Sequence, residues 1–201
     1  MEFSNPAGSE GCAACGHEHL VAFYETEERL LATVVAHLAP ALLGRDAAIV
    51  VATPEHREAF AEELQMVGVD LDAAAREGRY LALDAADLLS RFMVDGTPDP
   101  ARVREIVVAL LDRVSEAGRE VRVYCEMVAL LWAAGHVTST IALEDLWNEL
   151  VAELGFSLFC GYPISGFDVQ SRSAFEHICG QHNAVRRPVQ ADERRDGDLT
   201  V

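Results

Sequence analysis

The sequence predicts an α/β fold of three layers: a mostly parallel sheet flanked by helices. Three observations predict it. Short aliphatic or aromatic runs recur along the chain and alternate with amphipathic helical stretches, the pattern of strand-helix repeats. The run Ala47 to Ala52 is apolar without a break, as expected of a strand covered on both faces. Helix stop and start signals (Gly44, Thr53-Pro54, Asp99-Pro100) fall between the runs rather than inside them.

Each element follows from its residues. His19 to Tyr24 reads as the first strand, and Glu25 to Leu43 as a helix with Leu30, Leu31, Val34, Val35, Leu38 and Leu42 at helical spacing. Ala47 to Ala52 is the second strand. Thr53-Pro54-Glu55 then supplies a capping hydroxyl, a proline at the first helical position and a first-turn acid. A short helix is expected between Val69 and Gly78, a third strand over Tyr80 to Leu83, and a helix capped by Asp84 that runs to a turn at Asp95-Gly96. Asp99-Pro100 opens a long helix closed by Gly118. Val121 to Cys125 is the fourth strand and Phe156 to Tyr162 the fifth, with helical segments between them. Residues 1 to 16 read as a flexible tail, 17 to 183 as one domain, and 184 to 201 as a charged, apolar-poor disordered tail.

Composition excludes several functions. The formal net charge is −17, the opposite of the cationic footprint that nucleic acid or an anionic membrane surface requires. All 16 basic residues are arginine, so no phosphate-binding loop with its lysine can be built. No run reaches the roughly 20 apolar residues of a membrane span, and the first residues lack the charged start and apolar stretch of a secretory signal. Five cysteines, most inside apolar segments, suit a reducing compartment. A cytoplasmic location is expected.

Six ordered segments carry a family resemblance. They are His19-Leu-Val-Ala-Phe-Tyr24-Glu25, Val51-Ala-Thr53-Pro54-Glu55, Arg91-Phe-Met-Val-Asp95-Gly96, Glu126-Met-Val-Ala-Leu-Leu-Trp132, Leu143-Glu-Asp-Leu-Trp147-Asn148, and Phe156-Ser-Leu through Tyr162-Pro163. Together they resemble the MEDS domain, a sensory domain of methanogens, methylotrophs and DcmR-type regulators. The resemblance implies a RecA/KaiC-like fold that has lost its phosphate loop. It also implies a non-catalytic sensor of a small, hydrocarbon-like ligand, relaying to a signalling or transcription partner. The first strand-to-helix turn agrees independently: Tyr24-Glu25-Thr26-Glu27-Glu28 has three acids and no glycine, and would repel phosphate. The chain departs from the family pattern at Val21, where a cysteine is frequent, and at Cys125, where glycine is common.

The residues offer two candidate sites. Glu126 places a carboxylate where a buried strand passes into a helix, which is costly unless something uses it. His19, Tyr24 and Glu126 are taken as a polar ligand set at strand ends, with Met127, Trp132 and Trp147 lining an apolar pocket; at helical spacing such residues are more often plain core. Cys12, Cys15 and His17, with His19 close by, are the right types for zinc, although four ligands within eight residues are sterically tight. Cys125 on a strand-to-helix turn is the one candidate nucleophile, with no assignable partner. His177, Cys179 and His182 suggest a histidine- and cysteine-bearing last helix. Two further functional classes stay open: a ligand-free protein-interaction module using the acidic Glu25, Glu27 and Glu28, and a zinc or thiol switch.

Overall fold

A computed structural model of the chain describes residues 17–114, 119–164, 176, 178, 180 and 184–186. The tail 1–16 with Cys12 and Cys15, the helix stop at Gly118, and His177, Cys179 and His182 lie outside the described residues.

Six parallel strands form the central sheet. They are β1 (His19–Tyr24), β2 (Ala47–Ala52), β3 (Tyr80–Asp84), β6 (Val121–Cys125), β7 (Ser157–Pro163) and β8 (Ala184–Arg186), in the spatial order β3-β2-β6-β7-β1-β8. The second strand is buried at every residue, as its unbroken apolar run requires. The three-layer parallel architecture read from the sequence is therefore the observed one. Strand β8 departs from it. Ala184–Arg186 pairs with Leu20–Ala22 of β1 and covers what would be a free sheet edge, in a stretch the sequence assigns to a disordered tail. Three residues flanked by charged sequence give no apolar alternation to read.

One face is covered by α1 (Glu27–Leu43), α2 (Pro54–Met66) and α3 (Leu71–Arg76), packed on Leu20, Ala22, Ala48, Val50, Tyr124 and Phe159. The other face is covered by α4 (Ala85–Phe92), α5 (Pro100–Val114), α6 (Met127–Ala133) and α7 (Val137–Leu154). These pack on Val21, Phe23, Ile49, Val51, Val123, Cys125, Leu158, Cys160 and Tyr162. The strict alternation along β1 and β6 decides which side of the sheet each site residue faces.

The capping signals act as their chemistry requires. Thr26, Thr53, Asp70 and Asp84 each accept a hydrogen bond from the backbone N–H three residues on. Asp95 and Gly96, both at positive φ (49° and 80°), turn a hairpin between β4 (Met93–Val94) and β5 (Thr97–Pro98). The turn was legible in the sequence; strands of two residues were not.

Candidate functional site

The polar residues singled out in the sequence lie in two separate clusters, one on each face of the sheet. The first is at the carboxyl end of the strands, on the α1/α2 side. Glu126 is 4% exposed, directly after β6. It makes no side-chain cap on its own helix α6. Its Oε2 accepts from the Thr53 N–H at 2.9 Å, and its Oε1 accepts from the Tyr124 hydroxyl at 2.9 Å. That same Oε1 meets Nδ1 of His56, whose Nε2 contacts Glu27 Oε2 at 2.7 Å. A histidine on α2 thus links a buried carboxylate after β6 to an exposed one opening α1.

Electrostatics follow from that arrangement. The hydrogen bond to Glu126 is the largest influence on His56; burial opposes it, and the charges of Glu126 and Glu27, with a further hydrogen bond to Glu27, reinforce it, raising its pKa from 6.5 to about 9. The imidazole is therefore charged at neutral pH, doubly bonded between carboxylates. Tyr24 ends β1 beside the cluster, and burial together with the charges of Glu27 and Glu126 pushes its hydroxyl upward. Burial first, then Glu126, likewise holds Tyr124 protonated.

A glycine makes room for this network. A Cβ on Gly161 would stand 2.9 Å from the Tyr124 hydroxyl and 3.2 Å from Leu30 Cδ1, closer than packed atoms sit. Only glycine in β7 lets Tyr124 lie under α1 and reach Glu126. His56 and Gly161 were not singled out in the sequence. The signal for His56 was its place in the first turn of a helix starting right after a buried strand; for Gly161 there was none, since its neighbour Tyr124 is distant in the chain.

His19 belongs to the second cluster. It opens β1 whereas Tyr24 closes it, which separates their Cα atoms by about 17 Å at about 3.3 Å per residue. Its ring lies with Val21 and Phe23 on the other face. The ligand set His19, Tyr24 and Glu126 is therefore divided by the sheet: Tyr24 and Glu126 are brought together and His19 is not. His19 is 1% exposed. Its Nδ1 meets Asn148 Oδ1 at 2.8 Å, and its Nε2 lies 3.6 Å from Cys160 Sγ and 3.4 Å from Glu144 Oε2. Glu144, fully buried on α7, accepts from the Tyr162 hydroxyl at 2.5 Å. Trp132 stands edge-on to the Tyr162 ring, with centroids 6.4 Å apart.

Met127 and Trp147 line an apolar cavity of about 30 Å³ under α4, α5 and α7, together with Ile49, Phe92, Val107 and Leu111. Met127 directly follows Glu126, so the cavity wall and the polar network share one strand-to-helix turn. Cys125 also lines the cavity. Burial pushes its thiol up to about 12, the Glu144 and Glu126 charges adding to this while the Met127 and Val128 backbone N–H groups oppose it. That is the reverse of an activated nucleophile. His17 lies beside Gly155, at the carboxyl end of α7; the rest of its proposed zinc set falls outside the described residues.

The sequence profile of the family described as "MEthanogen/methylotroph, DcmR Sensory domain" (MEDS) matches residues 18–183. The chain belongs to the MEDS family. The match spans every element described above except β8, and a sensory or regulatory role comes with it. No curated relative matches the MEDS chain at a significant level. Among solved structures, one similar to it is titled "Structure of Drosophila ORC bound to DNA". The two are 12% identical over 89% of this chain and 86% of that one, with a TM-score of 0.31, too low to carry an argument. No helix of the described residues is long and apolar enough to cross a membrane.

Proposed function

We propose that this MEDS domain senses a small apolar molecule, catalyses no reaction, and reports occupancy to a regulatory protein partner. One observation carries the reading: the apolar cavity and the His56 network meet at a single turn, Cys125-Glu126-Met127. The cavity lining is apolar throughout, so water gains little there and a compact hydrocarbon-like molecule is the fitting occupant. Its volume of about 30 Å³ limits an unstrained guest to very few heavy atoms. A larger guest would push Met127 and the start of α6.

That displacement is felt by Glu126, and through it by His56 on α2 and Glu27 on α1. Glu27 is 64% exposed, so the last member of the chain of contacts is on the surface. A ligand preferring the displaced turn would shift the population of the latched state, and a partner reading the α1/α2 surface would sense it. The closed, protonated Cys125 thiol supports a non-catalytic reading.

The test is NMR of the chain with labelled methionine methyl and histidine ring positions under xenon pressure, followed by short-chain halocarbons. Binding should move the Met127 methyl and the His56 ring together. Movement of Met127 alone would break the proposed relay. No movement of either would remove the cavity as a site and favour a ligand-free interaction module.

A further inference from the structure

We propose that His19, Glu144 and Cys160 form a buried site for a tetrahedral divalent metal of the zinc class, joining β1, α7 and β7. The ligand atoms all lie within 4.8 Å of one another, and all three residues are buried. The two separations from His19 fit one ion. Metal bonds of about 2.0 Å to nitrogen and oxygen and about 2.3 Å to sulfur, at tetrahedral angles, place N···S about 3.5 Å and N···O about 3.3 Å apart. The observed separations from His19 Nε2 are 3.6 Å to Cys160 Sγ and 3.4 Å to Glu144 Oε2.

The surrounding hydrogen bonds orient each ligand for that role. Asn148 Nδ2 donates to the Glu144 backbone carbonyl at 3.2 Å, which turns Asn148 Oδ1 towards His19. Nδ1 of His19 then carries the proton and Nε2 presents its lone pair to Glu144 and Cys160. The Tyr162 hydroxyl takes Glu144 Oε1, leaving Oε2 facing the histidine. In the metal-free chain the Cys160 S–H lies against His19 Nε2; an ion would take the place of that proton, and outer bonds of this kind are what position metal ligands. On binding, the Cys160 thiol loses its proton to solvent and its sulfur bonds the ion. Cys125 is in register with Cys160 on the neighbouring strand and faces the same side of the sheet. The site's three residues differ from the N-terminal set Cys12, Cys15 and His17.

The full chain is unfolded in guanidinium with a chelator and refolded with cobalt(II), both as wild type and as the Cys12→Ser/Cys15→Ser double variant. Both should take up cobalt with thiolate-to-metal charge-transfer absorption and tetrahedral visible bands. Cys160→Ser in the double-variant background should lose the charge-transfer band. Should that variant not refold, Tyr162→Phe decides, because it keeps all three ligands and removes only an orienting bond. It should weaken metal affinity about 10- to 100-fold. The proposal is overturned if the double variant shows no thiolate band, if the band survives in Cys160→Ser, or if Tyr162→Phe leaves affinity unchanged.

Discussion

Replacing His56 by glutamine keeps a hydrogen-bonding side chain but removes the charge between Glu126 and Glu27. The folded-state pKa of about 9 lies above the ordinary 6.5, so the folded protein holds this proton more tightly than the unfolded chain. The stabilisation is therefore complete below about pH 6.5 and is lost as pH rises through about 9. At about 1.4 kcal/mol per pKa unit, the upper limit is about 3.5 kcal/mol. The imidazole is partly exposed and Glu27 mostly so, and solvent screening reduces this to about 1–2 kcal/mol. Urea unfolding of wild type and His56→Gln at several values between pH 5.5 and 9.5 measures it, and the difference between the two cancels the titrating groups that do not interact with His56. The variant should be less stable by about 1–2 kcal/mol at pH 6, equivalent to about 2–8 °C in Tm, with the gap closing towards pH 9.5. A difference that is constant with pH would refute the argument, because it would mean that the proton on His56 is bound equally in both states.

Three further outcomes follow from the same geometry. Glu126→Gln should return the His56 pKa towards 6.5, read from its ring proton shifts, since Glu126 is the largest cause of the rise. Gly161→Ala forces a Cβ against the Tyr124 hydroxyl and should cost about 1–3 kcal/mol in chemical denaturation; an unchanged midpoint would show that Tyr124 is free to move. In the metal-free native chain, Cys125 and Cys160 should resist thiol reagents at pH 8 until the chain unfolds, because both are buried and burial pushes both thiols up. Mass spectrometry of the labelled peptides checks this, and rapid native labelling of Cys125 would reopen a nucleophilic role.

The two clusters divide the labour of the fold differently. The His56 network lies where α1, α2 and the end of β6 converge, half open to solvent and suited to change. The His19 cluster lies beneath α7 with His19, Glu144, Cys160 and Tyr162 0–1% exposed, suited to holding its geometry. Each joins residues of one helical layer (Glu27 and His56, or Glu144 and Asn148) to residues of the strands, so each ties one helical layer to the sheet.

Much was legible in the chain itself. Uninterrupted apolar runs, helical spacing and capping residues are local, and they specified the strands from β1 to β7 in the central sheet and the helices between them. A phosphate loop was excluded by composition, since the chain has no lysine. Glu126 was flagged because a charge at a buried strand end is expensive wherever the chain goes next. The partners of that charge were not legible: Thr53 and His56 are 73 and 70 residues away, and only the β2-β6 pairing brings them close. His19 and Tyr24 share one short motif, yet they serve different clusters, because strand alternation and length set them on opposite faces and at opposite ends. Neither Glu144 nor Cys160 was singled out in the sequence. They become ligand candidates only when the pairing of β1 with β7 sets His19 beside Cys160 and α7 lays Glu144 over both, a meeting decided by strand order rather than by any local pattern.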